Sequence, residues 1–187
     1  MRWLIHEWPY AALFTAVFLL LMLPFISPLG LALTLIYLQL PLYMLHQFEE
    51  HDQDRFRKFA NQWLAGGKEA FTPLGIFVIN SAGVWGLDLL ALYLAFYVDL
   101  AFGLVAIYLP LVNAVSHIVA ALVKRCYNPG LWTSLVLFLP LGGWALMVVS
   151  KACQAGWTQQ AAALTAAILV HALIMGYVKL RLRKLKA

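Results

Sequence analysis

The chain has 187 residues, 64% hydrophobic and 11% charged, with a mean hydropathy of +0.83. Soluble domains carry about 25% charged residues, so the composition excludes an ordinary soluble domain and predicts one integral membrane domain over residues 1–187, all-α and bundled. The net charge of +5 reads as basic anchors at span ends facing lipid; without a glycine-rich phosphate loop or a basic-aromatic platform it predicts no nucleic-acid partner.

A hydrocarbon core ~30 Å thick needs about 20 apolar residues per helix. Six segments satisfy this: Trp8–Phe25, Pro28–Glu50, Pro73–Tyr97, Leu100–Val123, Pro129–Ser150 and Gln159–Leu180. The first begins without a small-residue cleavage site, so it is expected to remain as a span. Pro28, Pro73 and Pro129 stand where helix starts favour proline. Between the second and third spans, Phe56, Phe59, Trp63 and Leu64 follow helical spacing, with Arg55, Arg57 and Lys58 opposite. That pattern predicts an interfacial amphipathic helix over 52–64, ended by Gly66 and Gly67. In the fifth span, Pro140 with Gly142 and Gly143 predicts a kink. Cys126 and Cys153 flank that span and are expected on opposite membrane faces, unable to pair.

Of the 13 Lys and Arg residues, all but Lys151 fall in the even-numbered connections or at the termini, Arg2 and Lys186 included. The asymmetry predicts six spans with both termini cytoplasmic. No internal repeat supports an inverted-repeat transporter.

Ionisable groups inside a bilayer are costly and mark functional sites by default. His46, Glu49 and Glu50 close the second span, and His46 to Glu50 is an i,i+4 pair. Gln39, Tyr43, His46 and Glu50 form a 4-3-4 polar stripe that must face protein or water. Asn113 and His117 are another i,i+4 pair in the fourth span. At 1.5 Å per residue, Asn80 lies ~10 Å deep in the third span and Asn113 and His117 roughly 10–17 Å deep in the fourth, all in the cytoplasmic half. Imidazole with carboxylate is a ligand set for Zn, Fe or Mn. The expected donors to a divalent metal are His46, Glu50 and His117. Glu49 and Glu50 are the candidate general bases, and Asn80, Asn113 and Tyr43 are the candidate substrate contacts. His51, at i+5 from His46, is expected at the interface, and His6 in solvent. His171 reads equally as a helix–helix hydrogen bond or a ligand. Asp88, nearer the outer face, reads as half a proton path or a residue bonded within the bundle.

The run His46-Gln-Phe-Glu49-Glu50, followed by Asn113-x-x-x-His117 and Tyr127-Asn128-Pro129-Gly130, resembles the HXXEE-motif family of small prokaryotic membrane proteins. The resemblance implies a multi-pass protein of the prokaryotic plasma (inner) membrane and these site residues, but no particular reaction. The H-x-x-E-H pattern of zinc proteases is not met, because the second glutamate moves His51 off register. The favoured reading is a membrane-embedded metal-dependent hydrolase or isomerase acting on a small or lipophilic substrate, with membrane lipid as its surroundings. The alternatives are an ion- or proton-coupled transporter, or a non-catalytic metal- or lipid-binding scaffold. Substrate, metal identity and oligomeric state are not encoded in any motif.

Overall fold

The computed structural model describes residues 2–185; Lys186 and the side chain of Arg2, both counted among the cationic anchors, lie outside the described residues. The chain is all-helical, with no strand among the described residues, and six of its helices are long and apolar enough to cross a membrane. In chain order the helices are α1 (Arg2–Leu21), α2 (Leu31–His51), α3 (Arg55–Trp63), α4 (Pro73–Tyr97), α5 (Gly103–Lys124), α6 (Leu131–Ala152) and α7 (Trp157–Lys184).

Helix α2 is the axis of the bundle and packs against α1, α4, α5 and α6. Its polar stripe is buried, Gln39, Tyr43, His46 and Glu50 all facing protein. Burial of a polar stripe in an apolar bundle is tolerated only where its groups find partners, and this one does so at its His46–Glu50 end. Leu35 and Ile36 pack on Leu104 and Ile107 of α5. The helices meet closely there because Gly103 lacks a side chain: a Cβ would stand 2.2 Å from Ile36 Cδ1. Helix α7 packs mainly along α5.

Several boundaries differ from the sequence reading for local reasons. Helix α1 starts at Arg2 rather than Trp8, with Pro9 accommodated inside it, so His6 and Glu7 belong to the helix instead of preceding it. Pro28 does not open α2. It lies in a 3-10 turn, Ser27–Leu29, and Gly30 (φ +104°) reverses the backbone before Leu31. Asp52–Asp54 forms a separate 3-10 turn with left-handed Gln53 and Asp54, so the amphipathic helix begins at Arg55. Arg57 pairs there with Asp54 and with Glu69. Helix α6 begins two residues after Pro129, past left-handed Gly130. The kink was expected at Pro140, Gly142 and Gly143, but those residues lie in regular α-helix, and the irregular stretch is a π segment just before them, over Ser134–Phe138. Proline has no N–H for the carbonyl four residues back, so the preceding turn widens. A second π segment, Ile79–Trp85, carries Asn80 within α4; such bulges are frequent at functional sites. Helix α7 runs past both ends of the predicted sixth span. Cys126 and Cys153 are free.

Candidate metal centre

The i,i+4 spacing on α2 brings His46 and Glu50 onto one face, and the same spacing on α5 aims Asn113 and His117 at it. The two imidazoles lie with ring centroids 5.0 Å apart. Glu50 sits between them, Oε2 3.6 Å from His46 Nε2 and Oε1 3.4 Å from His117 Nε2. One donor atom from each of His46, Glu50 and His117 lies within 4.8 Å of the others, and all three residues are buried.

The surrounding hydrogen bonds fix the tautomers. The Thr133 hydroxyl donates its single proton to Glu49 Oε2 (2.5 Å). Its oxygen therefore accepts from His46 Nδ1 (2.8 Å). The Asn113 amide donates to His46 Nε2 (3.0 Å), as an unprotonated nitrogen requires. Asn128 Nδ2 donates to the carbonyl of His117 (2.9 Å), which leaves Asn128 Oδ1 to accept from His117 Nδ1 (2.6 Å). Both imidazoles thus carry a proton on Nδ1; His117 turns its Nε2 toward Glu50, while His46 Nε2 already accepts from Asn113, a bond that a metal ion would have to displace. The approach of His117 Nε2 to Glu50 Oε1 calls for a positive charge between them, supplied either by a second proton on that ring or by a metal ion. Histidines that ligate metals have this character: the second nitrogen donates to a group that sets ring orientation and basicity.

Glu49 lies one position round the helix, outside this group. Its half-buried carboxylate accepts from Tyr127 Oη (2.7 Å), Trp132 N (3.2 Å), Thr133 N (2.8 Å) and the Thr133 hydroxyl. Burial, then the bond to Glu49, pushes the Tyr127 phenol from 10.0 up to about 12. Gly130 opens the turn between Asn128 and Thr133, with φ +95°. A Cβ at this position would stand 2.7 Å from His117 Cε1 and 2.8 Å from His46 Cε1. Both the backbone conformation and the approach of the two rings therefore require glycine here.

The sequence-predicted residues separate into those that reach the centre and those that do not. Tyr43 packs edge-on to His46. Asn80 is buried near the centre, but its amide is engaged by Gln47 Nε2 (2.9 Å) and the Ile76 carbonyl (2.9 Å). His51 is buried, not interfacial. It packs at a tilt against Trp8 and edge-on to Phe56, with Nε2 3.0 Å from Glu50 Oε2 but without a hydrogen bond. The 3-10 turn after His51 drives α3 back over the ring and covers it. His6 is exposed, as expected. His171 Nδ1 donates to the Ala167 carbonyl of its own helix (2.8 Å). Asp88 is buried, is not among the three residues whose donor atoms converge, and among the described residues neither oxygen has a hydrogen-bond partner. Sequence reasoning missed Gln47, Thr133 and the roles of Asn128 and Gly130. Only the polar pair Tyr127-Asn128 before a Pro-Gly turn signalled the last two.

A cavity of about 470 Å³ adjoins the centre. Tyr43, Glu50, Asn80, Asn113 and His117 line its polar part; Phe56, Phe59, Val119 and Met175 are among its apolar walls.

Six apolar helices around a buried His/Glu/His group define a multi-pass α-helical membrane protein with a site able to hold a metal ion. Residues 37–145 match the model of the family described as "Protein of unknown function with HXXEE motif", and the chain belongs to that family. The matched stretch contains His46, Glu49, Glu50, Asn113, His117, Asn128, Gly130 and Thr133. No curated protein and no solved structure matches the chain.

Proposed function

We propose that this protein is a metal-dependent enzyme of the prokaryotic inner membrane, of hydrolase or isomerase type, acting on a lipophilic substrate that enters the cavity from the bilayer. The observation that carries the reading is the pair of Nδ1-tethered imidazoles, His46 and His117, both presenting Nε2 to buried Glu50. The donor set of two imidazoles and a carboxylate fits Zn, Fe or Mn. A divalent ion held by His46, Glu50 and His117 would supply Lewis acidity to a carbonyl or to water. Glu49, with four bonds already accepted, positions His46 through Thr133 rather than acting as a base. Asn113 and Tyr43 orient the substrate beside the donors, and the apolar wall of the cavity excludes bulk water. Both termini face the cytoplasm in this reading, which puts the centre in the cytoplasmic half of the membrane.

The test is metal content of protein purified without chelator, with thermal stability before and after chelation. Wild type should hold a stoichiometric ion, and saturation at about 100 times Kd adds ~2.7 kcal/mol of stability. Glu50→Gln and His117→Ala should lose the ion and the chelation response, whereas Glu7→Gln should keep both. The metal-loaded wild type, and not Glu50→Gln, should turn over members of a panel of lipophilic esters and unsaturated amphiphiles. Failure of wild type to take up Zn, Fe or Mn under any reconstitution would remove the basis of the proposal.

A further inference from the structure

The cavity has a second polar feature besides the metal centre. Asn113, His117, Ala120 and Lys124 lie on one face of α5 at 4-3-4 spacing, and all four line the cavity. Lys124 stands seven positions after His117, a distance of ~10 Å along the helix. The stretch between them is apolar: Ala120 and Val123 on α5, with Phe56 and Phe59 of α3 also on the cavity wall.

Among the described residues, Lys124 is the single Lys or Arg on the cavity wall. It is half-buried, with Nζ 5.4 Å from the centre of the Trp63 ring, and among the described residues no carboxylate pairs with it. One uncompensated ammonium suits a monoanion. A phosphate monoester brings about −1.5 to −2 charges and would leave one unmatched. Three wall residues are also half or more exposed on the bundle's lipid-facing side, Val119 (51%), Val123 (71%) and Met175 (50%). The cavity is therefore open laterally, where a chain can slide in from the bilayer. Its volume suits one alkyl chain rather than the two of a phospholipid, and lies within the ~300–1,000 Å³ of small-molecule sites.

We infer that the cavity binds one unesterified long-chain fatty acid, its carboxylate on Lys124 and its mid-chain carbons against Glu50 and His117, the two proposed donors on the cavity wall. The inference rests on the metal-centre reading for what happens at the mid-chain, but the binding geometry stands on the cavity itself. Lys124 fixes the head at the membrane surface, the apolar stretch sets ~10 Å of chain, and the donor group meets the chain at that depth. Selectivity then lies in two places: the charge of the head, and the distance from head to reacting carbon.

The test measures binding of oleate, oleyl alcohol, geranylgeranyl phosphate and dioleoyl phosphatidylglycerol to the full chain in detergent. Wild type should prefer oleate. Lys124→Met should weaken oleate by about tenfold or more, the worth of a charge-assisted hydrogen bond, while oleyl alcohol is unaffected and metal content stays at the wild-type level. Lys124→Arg should restore most of the oleate affinity. With carbon-13-labelled oleate and Co(II)-loaded protein, paramagnetic broadening should peak at mid-chain carbons. Equal oleate affinity in wild type and Lys124→Met, tighter binding of the phosphate or the phospholipid, or strongest broadening at the carboxylate carbon would each overturn the inference. If the protein takes up no Co(II), the metal reading fails by itself and the Lys124 comparison still decides the fatty-acid site.

Discussion

Gly130→Ala separates the centre from the fold that carries it. Two costs add at this residue. A left-handed backbone costs an L-residue with a Cβ about 1–2 kcal/mol, and Gly130 has φ +95°. The new methyl would also press on His117 Cε1 at 2.7 Å and His46 Cε1 at 2.8 Å. Overpacking of that kind costs about 1–3 kcal/mol, so the total is about 2–5 kcal/mol. The clash falls on the carbon bonded to each Nε2, so relief by ring rotation turns both donor nitrogens away from Glu50. Metal affinity should fall by about 10–100-fold, the usual effect of disturbing groups that orient ligands. Gly67→Ala is the control: Gly67 is left-handed too, at φ +82°, but has nothing within 4 Å of a Cβ. It should lose only about 1–2 kcal/mol and keep its metal. Equilibrium unfolding in detergent gives the stabilities, and chelator competition gives the affinities. Gly130→Ala that is no less stable than Gly67→Ala, or that binds metal like wild type, would refute the close-approach argument.

Glu49→Gln should lower metal affinity by about 10–100-fold although Glu49 touches no proposed donor; chelator competition equal to wild type would show that the Thr133 link has no influence on His46. The Tyr127 phenol is raised from 10.0 to about 12. A group raised in the folded state contributes stability that is whole below its unfolded value and lost as pH climbs through the folded one. Wild type should therefore lose stability relative to Tyr127→Phe between pH 10 and about 12; parallel melting curves across that window would contradict the Glu49–Tyr127 bond. For topology, cysteines placed at Lys151 and at Lys184 in a background without Cys126 and Cys153 should react with an impermeant maleimide from opposite sides of the membrane, and labelling from one side would sink the orientation.

The spans were legible because hydrocarbon thickness forces long apolar runs, and the site stripe because helical periodicity is strict: Gln39, Tyr43, His46 and Glu50 share a face in any α-helix. Boundaries were less legible. Pro28 and Pro129 look like helix starts, yet the chain needs Gly30 and Gly130 in left-handed conformations to turn first. The break at Gln53 and Asp54 was hidden because an amphipathic pattern continues through it. Polar partners drawn from other elements had no periodic signature. Thr133 reaches His46 across 87 positions of sequence, and Gln47 meets Asn80 across 33. Asp88 shows the converse, a buried carboxyl that looked functional on one helix and that packing leaves without a hydrogen-bond partner among the described residues.

The adjacent glutamates of the motif gain distinct roles from helix phase alone. One residue is about 100° of rotation. Glu50, at i+4 from His46, turns inward between the two imidazoles. Glu49, at i+3, turns toward the start of α6, where first-turn N–H groups have no intrahelical acceptor. It accepts those of Trp132 and Thr133, a favourable place for an anion. The Thr133 hydroxyl then carries the link to His46 Nδ1. The pentapeptide therefore holds a proposed donor, a second donor one turn on, and the brace that sets the tautomer of the first. Asn128 performs the same service for His117 from the loop before α6. An exchange of roles is impossible without rotating α2, so Glu49→Gln and Glu50→Gln must fail differently. The first keeps three donors and misorients one; the second removes a donor and leaves the Nε2 atoms of His46 and His117 beside a neutral amide.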